Sequence, residues 1–205
     1  MVEVVEKKHS SARSITIPDN LIYEQWNGKP IYYHGYRDVL SGLKRPEEIM
    51  SCSDIQGALI ALIIGYLFTT IDRKKYIVRT NEVGLNLSKG NNLALDIAIS
   101  EREPSEQLTG KFLKVSPKVV IEIDIKADFS NLAVGEMDYL LRKSKKIIDF
   151  GAESVLWILT ASKTVVVISK NDSNPYIANW DQNIFLLDEH FINIQDLLNE
   201  EGISW

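Results

Sequence analysis

Two short segments constrain this chain more than any others. Leu93-Ala94-Leu95-Asp96-Ile97-Ala98-Ile99 and Val119-Val120-Ile121-Glu122-Ile123-Asp124-Ile125-Lys126 both alternate apolar residues with small or charged ones. A period of two sends successive side chains to opposite faces of a strand, so both segments predict strands of one sheet. In the first, Leu93, Leu95, Ile97 and Ile99 share one face. Asp96 lies on the other, between Ala94 and Ala98, which are small enough to leave space around its carboxylate. In the second, Val119, Ile121, Ile123 and Ile125 form the apolar face, and Glu122, Asp124 and Lys126 the polar one. Same-face residues are roughly 6–7 Å apart along a strand, so Asp96 on a neighbouring strand can share a divalent cation with Glu122 or Asp124. Without a cation or protons, half-buried carboxylates this close would cost on the order of several kcal/mol each. The alternative is a solvated sheet face, on which Glu122, Asp124 and Lys126 simply meet water.

The rest of the chain supplies the frame for such a sheet. Leu21 to Trp26 and Ile31 to His34 flank Asn27-Gly28, a strong hairpin signal. Pro46-Glu47-Glu48 opens a short helix, and Ser53-Asp54 caps a longer one through Phe68, apolar nearly all round and therefore expected in the core. Short segments follow at Tyr76–Arg79 and Val83–Leu87, ahead of the two acidic strands. Leu132 to Phe150 reads as a helix closed by Gly151. Strands are expected at Ser154–Leu159, Thr164–Ser169 and Ile184–Leu187, with a last helix at Asn193–Asn199. The order predicts an α/β (α+β) fold in one domain, 1–205, with residues 1–15 flexible and 16–45 forming an N-terminal β-hairpin lobe.

Composition narrows the function. The 205-residue chain is long enough for one sizeable core. Its single cysteine, Cys52, excludes a disulfide framework and a Cys-rich zinc site. The longest apolar run, Ile55 to Phe68, falls short of the roughly 20 residues that span a bilayer. The N-terminus lacks the apolar stretch of a signal peptide, so a soluble, cytoplasmic protein with no membrane contact is expected. A net charge of −5 leaves nucleic-acid contact to local patches, such as the run Arg142-Lys143-Ser144-Lys145-Lys146. His9, His34 and His190 show no metal spacing.

Leu95-Asp96-Ile97-Ala98-Ile99, then Val120-Ile121-Glu122-Ile123, then Lys143 to Gly151 leading into Ser154-Val155-Leu156-Trp157-Ile158-Leu159, resembles the Uma-type family of restriction-endonuclease-like proteins in the PD-(D/E)XK nuclease superfamily. The resemblance covers most of the chain and implies a mixed central sheet flanked by helices. It further implies Mg²⁺- or Mn²⁺-dependent hydrolysis of DNA phosphodiester bonds, with Asp96 and Glu122 coordinating the cation; Asp124, on the same expected strand face as Glu122, is a candidate to complete the shell. The superfamily's lysine stands two residues after the second acid, where this chain has Asp124, so the resemblance leaves Lys126 and Lys143 as alternatives for that role. Lys143 matches the Uma-type position, eight residues before Gly151. Leu95 replaces the proline before the aspartate, and Gln56 stands near the usual place of a histidine, where it is an accessory candidate or simply part of a polar helix start. A nuclease fold without turnover, serving as a structural or oligomeric interaction module, is the competing expectation. The fold class also admits a homodimer.

Overall fold

The computed structural model describes residues 16–103, 108–130, 135–172 and 174–205. The expected flexibility of residues 1–15 lies outside them. Asn27 and Gly28 both take positive φ, 51° and 76°, and close the hairpin of β1 (Ile22–Trp26) and β2 (Lys29–Tyr33) as an Asn-Gly turn should. Two short helices, α1 (Tyr36–Leu40) and α2 (Pro46–Met50), lead to α3 (Asp54–Thr70), whose first turn is capped by the Ser53 hydroxyl accepting from the Gln56 amide.

The long strands β3 (Tyr76–Ser88) and β4 (Asn91–Glu101) pair antiparallel along their length. The two segments expected at 76–79 and 83–87 are one strand interrupted by a bulge at Asn81 and Glu82, both at positive φ. β5 (Val119–Ile123) pairs with β4 and, in parallel, with β7 (Ser154–Leu159), the crossover between them being α4 (Glu136–Phe150). The short β6 (Ala127–Asp128) pairs with β2, and β8 (Thr164–Ser169) and β9 (Tyr176–Asn179) extend the far edge. The result is a nine-stranded mixed sheet. A separate two-stranded sheet of β10 (Ile184–Leu187) and β11 (His190–Ile192) and the helix α5 (Ile194–Glu200) complete the chain. The fold is mixed α+β and restriction-endonuclease-like, with a central sheet flanked by helices, as expected. The N-terminal hairpin is present and is hydrogen-bonded into that sheet through β1–β4 and β2–β6.

Each sheet face has its own core. Leu59, Ile63 and Leu67 of α3 pack on Ile97, Ile121, Ile123 and Ile158. Tyr139, Leu140 and Ile147 of α4 pack on Val120, Val155 and Trp157 on the opposite face. β5 is covered on both faces, which explains its nearly unbroken Val/Ile content and overturns the solvated-face alternative for Glu122. Two other expectations need correction. The apolar face assigned to Leu93–Ile99 is split: Ile97 and Ile99 enter the α3 core, whereas Leu93 and Leu95 join the other, the division falling opposite the Asn81–Glu82 bulge. And α3 is not buried all round, since Ala61, Gly65 and Phe68 face solvent. No helix among the described residues is long and apolar enough to cross a membrane.

Candidate active site

One edge of β4 changes partner midway. It pairs with β1 at Asn92 and with β5 from Ile97 onward, so on this edge the main chain between has no paired strand, β3 holding the other edge. Backbone groups buried there must find side-chain partners. The Ala94 amide donates to Glu24 Oε1 at 3.2 Å, and the Ala94 carbonyl accepts from Lys143 Nζ at 2.8 Å. The charged cluster therefore fills a gap in the sheet.

Lys143 is fully buried and is the one member of the basic run of α4 that turns inward. Arg142 and Lys145 form pairs with Asp138 and Asp149 on the same helix, and Lys146 lies over the Trp26 ring. The Lys143 ammonium sits 2.8 Å from Glu24 Oε1 and 3.0 Å from Glu122 Oε1, between the rings of Tyr23 and Trp157. Glu24 is one of two acids, with Glu82, that sequence reasoning missed. Its second oxygen accepts from Trp26 Nε1 at 3.0 Å and from the Tyr139 hydroxyl at 3.1 Å, so the carboxylate is fully engaged. The signal that could have found it is the lone acid in the aromatic run Tyr23-Glu24-Gln25-Trp26.

Asp96 presents two unlike oxygens. Oδ2 accepts from the Ile123 amide at 2.9 Å and from Gln56 Nε2 at 3.2 Å. Oδ1 faces Lys126, whose ammonium is 3.7 Å away. Gln56, which also donates to the Ile123 carbonyl at 3.0 Å, is thus a buried strut between α3 and the site. The simpler reading of Gln56 as part of a polar helix start does not hold. Glu122 has fewer partners than its neighbours among the described residues: both oxygens are buried, Oε1 meets the Lys143 ammonium that it shares with Glu24, and Oε2 has no hydrogen-bond partner.

Asp124 is the correction within the site. β5 ends at Ile123, and Asp124 takes φ 56°, which breaks the alternation that would have aligned it with Glu122. Its carboxylate instead accepts from the Thr160 amide at 2.8 Å and the Thr160 hydroxyl at 2.7 Å, closing the end of β7. Both oxygens are spent on that turn, so Asp124 does not complete a cation shell with Asp96 and Glu122. Lys126, beyond the kink, reaches back to Asp96 and pairs with Glu82. The structure thus brings Asp96, Glu122, Lys126, Lys143 and Gln56 together, adds Glu24 and Glu82, and sends Asp124 elsewhere.

Burial sets the electrostatics. Desolvation pushes the Glu122 carboxyl up to about 8, with Lys143 pulling the other way and the charges of Asp96 and Glu24 adding to the rise. Asp96 is also raised by burial, against the pull of Lys126 and the Ile123 amide. Burial alone would lower Lys143, but Glu122 and Glu24 outweigh it and hold the ammonium well above its ordinary range. Glu122 and Glu24 together keep Lys143 charged, so one ammonium serves two buried acids.

A solved structure shares this arrangement of elements. A crystal structure described as a putative nuclease belonging to DUF820, from Anabaena variabilis ATCC 29413, superposes with a TM-score of 0.57. The match covers 86% of this chain and 89% of that one, at 15% identity. The fold is nuclease-like. No family model matches the chain, and no curated protein does.

The donor set suits a hard divalent cation. Carboxylate oxygens match Mg²⁺ or Mn²⁺, which commonly take one or two protein carboxylates and complete their shell with water and substrate. Two acids, Asp96 through Oδ1 and Glu122 through Oε2, fit that pattern. No cluster of three or more His, Cys, Asp or Glu suited to a metal occurs among the described residues.

Proposed function

We propose that the chain is a divalent-metal-dependent nuclease hydrolysing DNA phosphodiester bonds, with the site arrangement of the Uma-type branch of the PD-(D/E)XK superfamily. The observation that carries this reading is Glu122: a buried acid that shares the Lys143 ammonium with Glu24 and leaves Oε2 without a hydrogen-bond partner, beside Asp96, on a nuclease-like fold. Ionising Glu122 at this depth, with one ammonium shared between two acids, is costly, and a divalent cation would lower that cost.

In this reading Asp96 and Glu122 hold Mg²⁺ or Mn²⁺, which when bound supplies a Lewis acid for a phosphoryl oxygen and a more acidic water. Gln56 and the Ile123 amide fix the Asp96 carboxylate by its other oxygen, so Oδ1 is aimed without freedom to rotate. Lys143, clamped by Glu24 and the Ala94 carbonyl, keeps a positive charge beside Glu122, where its field balances charge developing on the phosphate. Lys126 stands nearer solvent and meets the phosphate first.

Calorimetry with Mn²⁺ and cleavage assays on single-stranded and duplex DNA test this together. The expected outcome is Mn²⁺ binding lost in Asp96→Ala and Glu122→Gln, with cleavage reduced at least about a hundredfold. Cleavage that survives Asp96→Ala would remove the site assignment and keep the activity. A second reading, a nuclease fold without turnover, draws on the burial of Asp96, Glu122, Lys143 and Glu24, none more than 3% exposed. Mn²⁺ binding without cleavage of any DNA form would favour it.

A further inference from the structure

Glu82 belongs to none of the motifs above, yet the backbone is bent to deliver it. Asn81 and Glu82 take φ of 72° and 53°, and a glutamate gains nothing locally from that region. The bulge is tied to the site from beneath, the Thr80 hydroxyl donating to the Asp96 carbonyl at 2.9 Å. Above it, the Glu82 carboxylate is held by the Tyr33 hydroxyl at 3.1 Å and takes the Lys126 ammonium. These two side chains are the more exposed part of the cluster: Glu82 is 27% and Lys126 14% exposed, against 3% for Asp96 and 1% for Glu122.

Lys126 has two carboxylates within reach and touches only one. It makes a hydrogen bond to Glu82 and stops 3.7 Å from Asp96 Oδ1, the oxygen that no hydrogen bond occupies. A full lysine–carboxylate contact at Oδ1 would put an ammonium where a cation is needed. We infer that Glu82 is a positioning residue that parks Lys126 one step away from Asp96, keeping Oδ1 free for a metal ion while holding the lysine ready for a phosphate. An arriving phosphate exchanges places with Glu82 at the ammonium, so the lysine's charge passes from one oxyanion to another without crossing Asp96. The consequence for metal rests on the function proposed above; the parking itself does not.

Two measurements decide it, both on the isosteric Glu82→Gln, which keeps a partner for the Tyr33 hydroxyl. The first is the rate at which an N-hydroxysuccinimide ester acetylates Lys126, read by peptide mass spectrometry. Freed from Glu82, the lysine should withdraw onto Asp96, so Glu82→Gln reacts no faster than wild type. Adding Asp96→Asn should then raise the rate roughly tenfold. A rise in Glu82→Gln alone, as large as in the double variant, overturns the inference, because Asp96 would not be drawing the lysine in. The second is Mn²⁺ affinity by calorimetry. Glu82→Gln should weaken it roughly tenfold, and adding Lys126→Ala should restore it. Weakening without restoration overturns the inference and makes Glu82 a contributor to the metal site in its own right. A wild-type protein that binds no Mn²⁺ removes the metal reading and leaves the acetylation rates to judge the parking.

Discussion

The two lysines of the site are held in opposite ways. Lys143 comes from the middle of a helix, is sealed from water, and meets two carboxylates and a main-chain carbonyl that have no other cation. Lys126 comes from the irregular chain just after β5, is partly solvated, and shares Glu82 with a tyrosine. The first is part of what closes the sheet; the second is attached to its rim. Position relative to the gap in β4, more than distance to an acid, separates a structural charge from one free to respond to a ligand.

That difference can be broken by mutation. Lys143→Met should have the largest effect, because it leaves Glu24 and Glu122 buried without a counter-ion: a loss of about 3–5 kcal/mol in urea unfolding, or no folded protein. Glu24→Ala should follow, at about 2–4 kcal/mol, since the Ala94 amide, Trp26 Nε1 and the Tyr139 hydroxyl all lose their acceptor. Lys126→Ala should change stability by no more than about 1 kcal/mol, as for a partly exposed pair. A loss as large as that of Lys143→Met would end the distinction.

The pH dependence sharpens the same point. With its folded-state value near 8 against an ordinary 4.5, the Glu122 carboxyl keeps its proton in the folded chain over a range in which the unfolded chain has released it. The unfolded state then binds fewer protons, so stability falls as pH rises from about 4.5 to 8 and levels off above. The metal-free protein should therefore lose thermal stability across that window. Glu122→Gln should flatten the decline, and saturating Mn²⁺ should flatten it in wild type. An equal decline in Glu122→Gln would show that Glu122 is not its source. The smallest expected effect is at the diverted acid: Asp124→Asn should cost about 1 kcal/mol through the Thr160 contacts and leave Mn²⁺ affinity unchanged.

Much of this was legible in the sequence, and the failures have physical causes. Alternation separated Glu122 from the face of Val119, Ile121 and Ile123, and the structure keeps that division because β5 is short and covered on both sides. The same rule failed one residue later, at Asp124, where a positive φ ends the strand and local pattern carries no warning. Lys143 was reachable through its distance from Gly151, but its burial was not, since the neighbouring Arg142, Lys145 and Lys146 advertise a solvated helix face. Glu24 and Glu82 escaped because each is defined by a long-range contact: one by a missing strand, the other by a bulge whose partner residues lie far along the chain.

The gap beside Ala94 has a consequence for how such a protein can change over generations. Glu24 and Lys143 stand in for a neighbouring strand, so a descendant that abandoned chemistry would still be selected to keep them for folding. Their retention in a relative is therefore no evidence of turnover. Glu82 and Lys126 close no ladder, so under the function proposed above they are the positions where loss of activity should leave its record.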